Sequence, residues 1–394
     1  MDRGEMPWGT LKGVRPVKLA YGKLSEGICD EGILSFLADK YGVSEKKARL
    51  AIEVAKKEAA LAASTDPEGY CLYIGIPFCP DRCLYCSFAS VPIADHPDGV
   101  GDYLDALEAE MAHCACLMRG RTVNSIYIGG GTPTTLSPED MESLFERVER
   151  HFDVGACPEY TCESGRADSI TASRLEIMKE HGVTRICVNP QSMNERTLEA
   201  IGRKHTPKDV TEAFKLARKY GFNNINMDII MGLPGESIKD FRNTLEAVKR
   251  LSPDALTVHS LAVKRGSRLR ENTGKYETIG DKEAEEMALY AQIYARGMGM
   301  EPYYLYRQKH MAGNLENTGW ALPGRECIYN VLTMEEICSV YAIGAGTVTK
   351  RVSHENGFQA ARCDTVKSPD EYIRRIDEMM ERKTGLFTDS LPKR

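Results

Sequence analysis

Three cysteines lie within eight residues of the sequence, at a spacing that suits metal binding. Cys79, Cys83 and Cys86, in the stretch YIGIPFCPDRCLYCSF, form a C-x-x-x-C-x-x-C pattern directly after a short β-branched and aromatic run. A structural zinc site uses four protein ligands, usually in two pairs, and the sequence has no second C-x-x-C pair. A four-iron cluster held entirely by protein needs a fourth cysteine. The trio therefore predicts an iron–sulfur cluster with one iron open to a small chelating molecule.

The other cysteines show no ligand spacing. The total of 13 is odd, and the first residues, MDRGEMPWGT, contain no export signal. A disulfide framework is a poor explanation for such a chain. We expect most of these cysteines to be small buried apolar residues: Cys29, Cys71, Cys114, Cys116, Cys157, Cys162, Cys187, Cys327, Cys338 and Cys363.

A triple glycine, Gly129 to Gly131, follows the next predicted strand in IYIGGGTPT. Glycines there let backbone groups approach a ligand more closely than side chains would allow. Taken alone, such a run is more often a plain turn. Its place one β/α unit after the cysteine loop favours a ligand site.

The elements that position these residues alternate between strands and helices. Strands are predicted at CLYIGI, NSIYIGGG, EYTCES, TRICVN, NINMDIIMG and ALTVHSL, with helical patterns between them. Such an order predicts a parallel α/β fold, closed or nearly closed into a partial six-unit β/α barrel. The cysteine loop follows the first strand and so lies at the C-terminal mouth, where barrels of this kind carry their sites.

The rest of the chain is expected to form two appendages. Residues 1–68 are predicted to be a charged helical segment, in which Ala48, Ile52, Ala55 and Ala59 share one face and lysines and glutamates the other. Residues 69–265 form the barrel. Residues 266–394 form an α+β region with a helix at DKEAEEMALYAQIYARGMG, a possible strand at EPYYLYR and a final helix at PDEYIRRIDEMMERK.

Bulk properties exclude several classes of function. No apolar run approaches the roughly 18 residues of a membrane span, so no membrane span is expected. The net charge of −6 argues against binding to nucleic acid. Neither a secretory signal nor a transit peptide is apparent, and we therefore expect a cytoplasmic location.

The cysteine spacing resembles that of radical S-adenosylmethionine (SAM) enzymes. The motifs YIGIPFC, GGGTPT, TCESGRADSI, VNPQSMNERTLEAIGRKH and NMDIIMGLPGES are together similar to the oxygen-independent coproporphyrinogen III oxidase family, most of all to its HemZ branch. Segments near both ends, such as GVRPVKLAYGKL and GAGTVTK, are also HemZ-like. Relatives in that branch often have more chain upstream, which favours a shortened N-terminus here.

The resemblance implies a set of site residues. Cys79, Cys83 and Cys86 ligate a 4Fe-4S cluster, whose open iron binds SAM and whose electron releases a 5′-deoxyadenosyl radical. Contacts to this first SAM are implied for Tyr73, Gly130, Glu163 and Val348, with Tyr73 and Glu163 as the catalytic residues. Contacts to a second SAM, which some members bind, are implied for Tyr85, Gly131, Thr132, Gln191, Arg203, Asp228 and Ala262. Purely structural roles for Gln191, Arg203 and Asp228 stay open, as does the number of SAM molecules.

The implied activity converts two propionates of coproporphyrinogen III to vinyl groups, with loss of carbon dioxide. A substrate with four carboxylates calls for cationic partners, and the candidates are Arg166, Arg265, Arg268 and Arg307. A reductase, flavodoxin or ferredoxin is the expected electron donor.

Two departures from the family pattern leave alternatives open. Gly75 stands where many relatives have His, and YNVLTM at Tyr329 to Met334 stands where haem-chaperone relatives have H-N-x-x-Y-W. One alternative is a haem-modifying methyltransferase of the same superfamily. The other is a haem-binding or delivery protein that keeps the cluster, with His259 or His310 as the axial ligand.

Overall fold

Three helices lead into the first strand of the protein. The computed structural model describes residues 7–11, 15–96, 99–264, 266–271, 279–308, 311–355 and 357–389. The helices are α1 (Pro16–Ser25), α2 (Asp30–Tyr41) and α3 (Glu45–Ala63). Ala48, Ile52 and Ala55 of α3 are buried, as the helical spacing predicts, whereas Ala59 is half-buried.

Two charged residues of α3 are buried, so the prediction that its lysines and glutamates all face away from the core is wrong. Lys47 pairs with Glu316 at 2.5 Å, and Glu316 also accepts a hydrogen bond from the Trp8 indole. Burial, and then the neighbouring carboxyl group of Glu335, raise the pKa of Glu58 well above its usual range. Helical periodicity could not anticipate either contact, because both partners belong to the C-terminal part of the chain.

The central part of the chain alternates strands and helices as predicted. Its elements are β1 (Tyr70–Ile76), β2 (Phe78–Cys79), β3 (Val91–Pro92), α4 (Gly99–Leu117), β4 (Val123–Gly130), α5 (Pro138–His151), β5 (Tyr160–Glu163), α6 (Ala172–Glu180), β6 (Arg185–Cys187), α7 (Glu195–Ala200), α8 (Pro207–Lys219), β7 (Ile225–Met231), α9 (Ile238–Leu251) and β8 (Ala255–Ser260). All six predicted strands are present.

The C-terminal part adds further strands and helices. They are α10 (Arg268–Glu271), α11 (Asp281–Gly297), β9 (Glu301–Tyr306), β10 (Asn317–Ala321), α12 (Ile328–Glu335), β11 (Ser339–Ile343), β12 (Val348–Ser353), β13 (Gln359–Asp364), α13 (Pro369–Arg374) and α14 (Ile376–Thr388). The final helix is broken in two, because Arg375 leaves the helical conformation (φ −118°, ψ 25°). In the described parts of the chain, no helix is both long and apolar enough to cross a lipid bilayer.

One sheet of 11 strands holds these elements together, in the order β13-β12-β11-β1-β4-β5-β6-β7-β8-β10-β9. The strands from β11 to β8 are parallel, and β10 and β12 join their neighbours antiparallel. Between the described residues of the end strands, β13 and β9, there is no pairing, so the barrel is open. The predicted partial barrel is confirmed. The division at 68/69 and 265/266 stays a prediction, and the sheet continues across the second of these boundaries.

Helix α12 is fixed to the barrel by a carboxylate near the start of β5. Glu159 accepts backbone hydrogen bonds from Ile328 at 2.7 Å and Tyr329 at 3.1 Å. These N–H groups begin the helix and have no partner within it. The Tyr329 ring then stacks on Tyr127 of β4, with ring centroids 4.6 Å apart. The helix therefore carries an aromatic residue to the inner side of β4.

Candidate functional site

The three cysteines of the motif line one cavity, of about 220 Å³, together with residues from the C-terminal ends of the barrel strands. Cys83 is buried, and Cys79 and Cys86 are half-buried. The loop that carries them is held by two distant segments, because Leu84 N donates to Ile201 O at 3.0 Å and Leu269 N donates to Leu84 O at 2.9 Å. We call this space the first cavity.

Two guanidinium groups lie beside Cys83. Arg166 Nη1 is 3.8 Å from the sulfur, and Arg203 is the second cation. Burial works to raise the pKa of the Cys83 thiol, but the charges of Arg203 and Arg166 outweigh it, so the pKa lies below its usual range. Burial raises the pKa of Cys79 and Cys86. The thiolate, which is the form that binds metal, is therefore favoured first at Cys83.

The cysteine arrangement fits a centre larger than a single ion. Among the residues that the structure describes, no three His, Cys, Asp or Glu side chains converge closely enough to hold one metal ion. In a four-iron cluster each thiolate binds a different iron, and the sulfurs therefore stand further apart. The three cysteines nevertheless line the same cavity. The described residues therefore give no support to a site for a single zinc ion.

The glycine turn after β4 packs directly against the cysteine loop. Gly130 has a φ of +109°, which disfavours any side chain. A Cβ on Gly131 would lie 2.4 Å from the carbonyl oxygen of Phe78. Thr132 N donates to that same oxygen at 2.8 Å. The close approach of the two backbone segments therefore requires these glycines, and their contact with a ligand stays a prediction.

Glu163, at the end of β5, belongs to a cluster with three tyrosines. The Tyr127 hydroxyl donates to Glu163 Oε1 at 2.5 Å. The rings of Tyr73, Tyr127 and Tyr329 stack with centroids 4.6 to 6.0 Å apart. Burial raises the pKa of Glu163 to about 7, against the effect of the Tyr127 hydrogen bond and with a smaller contribution from Asp228. The carboxyl group can therefore hold or release a proton near neutral pH.

Arg203 and Gln191 also line the first cavity. Arg203 Nη1 donates to the carbonyl oxygens of Asn189 at 2.6 Å and Gly165 at 3.1 Å, and Nη2 donates to the Tyr85 hydroxyl at 3.1 Å. Gln191 has a left-handed backbone, with φ +64°, which is uncommon for a residue with a side chain. Its Oε1 is buried and has no hydrogen-bond partner in the described part of the protein. Strain and an unpaired polar atom at one residue indicate a ligand-binding role.

Asp228 stands on β7 in a polar group, and Ala262 lines the same cavity. Asn226 Nδ2 donates to Asp228 Oδ1 at 2.7 Å, and His259 Nε2 lies 3.7 Å from Oδ2. Burial works to raise the pKa of Asp228, but the contact with His259 and the amide hydrogen bond outweigh it and lower the pKa. An ionised carboxylate therefore faces the first cavity.

Tyr73 and Val348 line a second cavity, of about 380 Å³. Gly130 and Phe88 line both cavities, which therefore adjoin. The first cavity contains the other predicted cofactor residues: Tyr85, Gly130, Gly131, Thr132, Glu163, Gln191, Arg203, Asp228 and Ala262. The residues that the resemblance implies for a second SAM thus all line the first cavity. Those implied for the first SAM are divided between the two cavities.

Gly75, where many relatives have His, faces the second cavity. A Cβ there would lie 2.6 Å from Thr347 Cγ2. Thr347 is buried, and its hydroxyl donates to Gly344 O at 2.8 Å. The threonine therefore occupies the space into which an imidazole at position 75 would project.

The arginines suggested for substrate carboxylates lie in different places. Arg166 lines the first cavity. Arg307 donates to the carbonyl oxygens of Leu11 and Asn314 and so ties the N-terminal segment to the end of β9, away from both cavities. Arg268 donates to Arg82 O at 3.2 Å and lines neither cavity. Arg265 and His310 lie outside the described residues.

Sequence reasoning missed several residues of the site. Tyr127 precedes Gly129 by two positions on β4, and the alternation of side chains along a strand could have predicted its direction. Lys264 follows β8 and lines the first cavity, but no pattern in the sequence predicts this position. His259 was singled out only as a haem ligand, yet it contacts Asp228.

Comparison with known proteins places the chain in a family. Residues 73–248 match the radical SAM superfamily. HemZ of Bacillus subtilis (strain 168), an oxygen-independent coproporphyrinogen-III oxidase-like protein, is 40% identical over 383 residues, which cover 95% of this chain and 76% of that protein. The heme chaperone HemW of Escherichia coli (strain K12) is 30% identical over 306 residues, covering 74% of this chain and 76% of HemW.

A solved structure agrees with the fold. It is coproporphyrinogen III oxidase (HemN) from Escherichia coli, a radical SAM enzyme, with a TM-score of 0.65 and 22% identity over 82% of this chain and 73% of HemN. At this identity the likeness concerns the fold alone. Taken with the similarity to HemZ, it leads to one assignment. The chain belongs to the radical SAM superfamily and, within it, to the family of oxygen-independent coproporphyrinogen-III oxidase-like proteins that includes HemZ.

Proposed function

We propose that this protein is a radical SAM enzyme that converts propionates of coproporphyrinogen III to vinyl groups without oxygen. The observation that carries the proposal is the likeness to HemZ over 95% of the chain, which includes the C-terminal elements that build the second cavity. Each conversion removes one hydrogen atom from the β-carbon of a propionate, releases carbon dioxide and passes one electron to an acceptor.

Cys79, Cys83 and Cys86 would hold a 4Fe-4S cluster. The donor set fits, because three thiols face one cavity and two guanidinium groups stabilise the thiolate of Cys83. When bound, the cluster and SAM together supply a primary carbon radical that can remove hydrogen from an unactivated carbon. The protein binds, orients and excludes water.

The SAM contacts are proposed as the resemblance implies them. Gly130 stands at the junction of the cavities, and Gly130, Tyr73, Glu163 and Val348 would contact the first SAM. The unpaired Gln191 Oε1 and the ionised Asp228 would accept hydrogen bonds from a second SAM. Arg203 Nε has no partner among the described residues and would donate to its carboxylate.

Tyr73 and Glu163 are the proposed catalytic residues. Burial raises the pKa of Tyr73, so its hydroxyl stays protonated and can donate a hydrogen bond. Glu163 accepts from Tyr127 and, with a pKa of about 7, can exchange a proton with a ligand. The stacked rings of Tyr73, Tyr127 and Tyr329 exclude water from the part of the site beside Glu163.

One-electron chemistry needs a donor of single electrons. We propose a reductase, flavodoxin or ferredoxin for this role, and a cytoplasmic location for the protein.

A haem-binding or delivery role is the second candidate. The heme chaperones HemW among the relatives support it, and His259 supplies an imidazole in the first cavity. Against it, His259 contacts Asp228, and the histidine of the H-N-x-x-Y-W pattern is replaced by Tyr329, which stacks on Tyr127.

Product analysis separates these functions. The cluster-containing, reduced protein is incubated anaerobically with SAM and coproporphyrinogen III, and the products are identified by mass spectrometry. We expect 5′-deoxyadenosine and a tetrapyrrole that has lost carbon dioxide. Haem binding without cleavage of SAM would overturn the proposal in favour of delivery, and a methylated or ring-opened tetrapyrrole would overturn it in favour of the haem-modifying alternative.

A further inference from the structure

The second cavity has an outer part that the proposed SAM contacts do not explain. Near β1 its wall is aromatic, with Tyr73 and Tyr329. Further out, two cations line it, Lys350 of β12 and Arg362 of β13. A pocket with an aromatic wall and a cationic rim suits a ligand with flat apolar rings and carboxylate groups.

The two cations are direct neighbours in the sheet. Lys350 pairs with Arg362 across the antiparallel ladder of β12 and β13, which places both side chains on the same face. Arg362 is exposed and has no hydrogen bond or ion pair with any residue that the structure describes. Its guanidinium is therefore available to a ligand.

The carboxylate that pairs with Lys350 is shared with two other cations. Glu336 lies 3.0 Å from Lys350 Nζ, but the same carboxylate also pairs with Lys18 and lies 3.7 Å from Arg15. Burial works to raise the pKa of Glu336, yet the contacts with Lys18 and Lys350 outweigh it and lower the pKa to about 2. One ionised carboxylate thus serves three cations. Asp364 stands two pairs further along the ladder, opposite Val348, and does not line the cavity.

We propose that the second cavity binds the tetrapyrrole substrate, and that Arg362 and Lys350 hold its propionate carboxylates. The assignment rests on the proposed function and names the substrate groups that this part of the site recognises. A guanidinium can bind a carboxylate through two parallel hydrogen bonds. Because the cavities adjoin at Gly130 and Phe88, a substrate with several propionates can present one at the first cavity while another reaches the rim.

A binding measurement tests this without turnover. Coproporphyrin III, the stable oxidised form of the proposed substrate, is titrated into the anaerobic cluster-containing protein, and its fluorescence gives Kd. We expect Arg362→Gln to weaken binding about tenfold, because it removes a charge-assisted hydrogen bond. Arg362→Lys should recover most of the affinity. Lys350→Gln should weaken binding less, because Lys350 shares its charge with Glu336.

The matched control is Lys367→Gln, which removes an exposed cation that lines neither cavity and should leave Kd unchanged. The tetramethyl ester of coproporphyrin III should bind the wild type more weakly than the free acid and should not distinguish Arg362→Gln from the wild type. The proposal fails if Arg362→Gln binds the acid as the control does, or if ester and acid bind the wild type equally. Conversion of coproporphyrinogen III by the wild type is measured in parallel. If the wild type converts no substrate, the proposed function itself fails. If it converts substrate normally but Arg362→Gln leaves Kd unchanged, only the assignment of the second cavity fails.

Discussion

The two adjoining cavities differ in how the chain builds them. The first is formed largely by residues that follow successive barrel strands, from Cys79 after β1 to Ala262 after β8. The second combines β1 with α12, β11 and β12, which come about 250 residues later in the chain. Most of the predicted cluster and SAM residues line the first cavity, whereas Tyr73 and Val348 line only the second.

The two cavities differ because different parts of the chain form their walls. Loops at the ends of parallel strands meet at one edge of the sheet, so their order in the sequence predicts their proximity. The second cavity depends on how the C-terminal elements return to β1. Strand pairing brings its charged residues, such as Lys350 and Arg362, together, and no local sequence pattern predicts this pairing. We thus propose cofactor chemistry mainly for the first cavity and substrate selection for the second.

The largest expected effect concerns the cysteine loop. Cys83→Ala should remove the cluster, because the thiolate favoured by Arg166 and Arg203 is lost. Iron and sulfide analysis and the visible absorbance of anaerobically prepared protein measure this. Cys116→Ala, at an exposed cysteine outside the motif, is the control and should keep full iron content. Iron retained in Cys83→Ala would refute the ligand assignment and the contrast between the two cavities.

A smaller effect is expected at Glu163, which lines the first cavity. Its pKa is raised from 4.5 to about 7, so the folded state holds a proton that the unfolded state releases between these pH values. Its contribution to the free energy of unfolding therefore falls as the pH rises from 4.5 to 7, by up to about 3 kcal/mol. Glu163→Gln should remove this part of the pH dependence. Urea unfolding of both proteins at several pH values tests it, and parallel curves for the two would contradict the shifted pKa.

The smallest expected effect concerns the contact between Gly75 and Thr347 beside the second cavity. Gly75→Ala places a Cβ against Thr347 Cγ2 and should cost about 1 to 2 kcal/mol of unfolding free energy. Thr347→Ser removes that methyl group, so the double variant should recover part of the loss. Gly101→Ala, where a Cβ meets no atom within 4 Å, is the control and should not destabilise the protein. If the losses of unfolding free energy simply add in the double variant, the Thr347 methyl group is not what disfavours a side chain at position 75.

Sequence reasoning predicted the barrel because its strands and helices carry regular patterns. It predicted the three cysteines from their spacing, and Glu163 from the resemblance to a known family. It did not predict that Lys47 and Glu58 are buried, since burial of a charge depends on partners such as Glu316 and Glu335 in the C-terminal part. It also could not anticipate α12, whose first N–H groups are bound by Glu159 from the barrel.

The sequence by itself determined the chemistry available to the protein: a thiol trio at the mouth of a parallel barrel, followed by a glycine turn. Local spacing suffices there, because these residues are close in the chain or follow adjacent strands. Tertiary structure alone decided the tyrosine stack, the threonine that fills the space beside Gly75, and the pairing of Lys350 with Arg362. These features depend on contacts between distant segments, which arise only when the chain packs and buries its apolar surface.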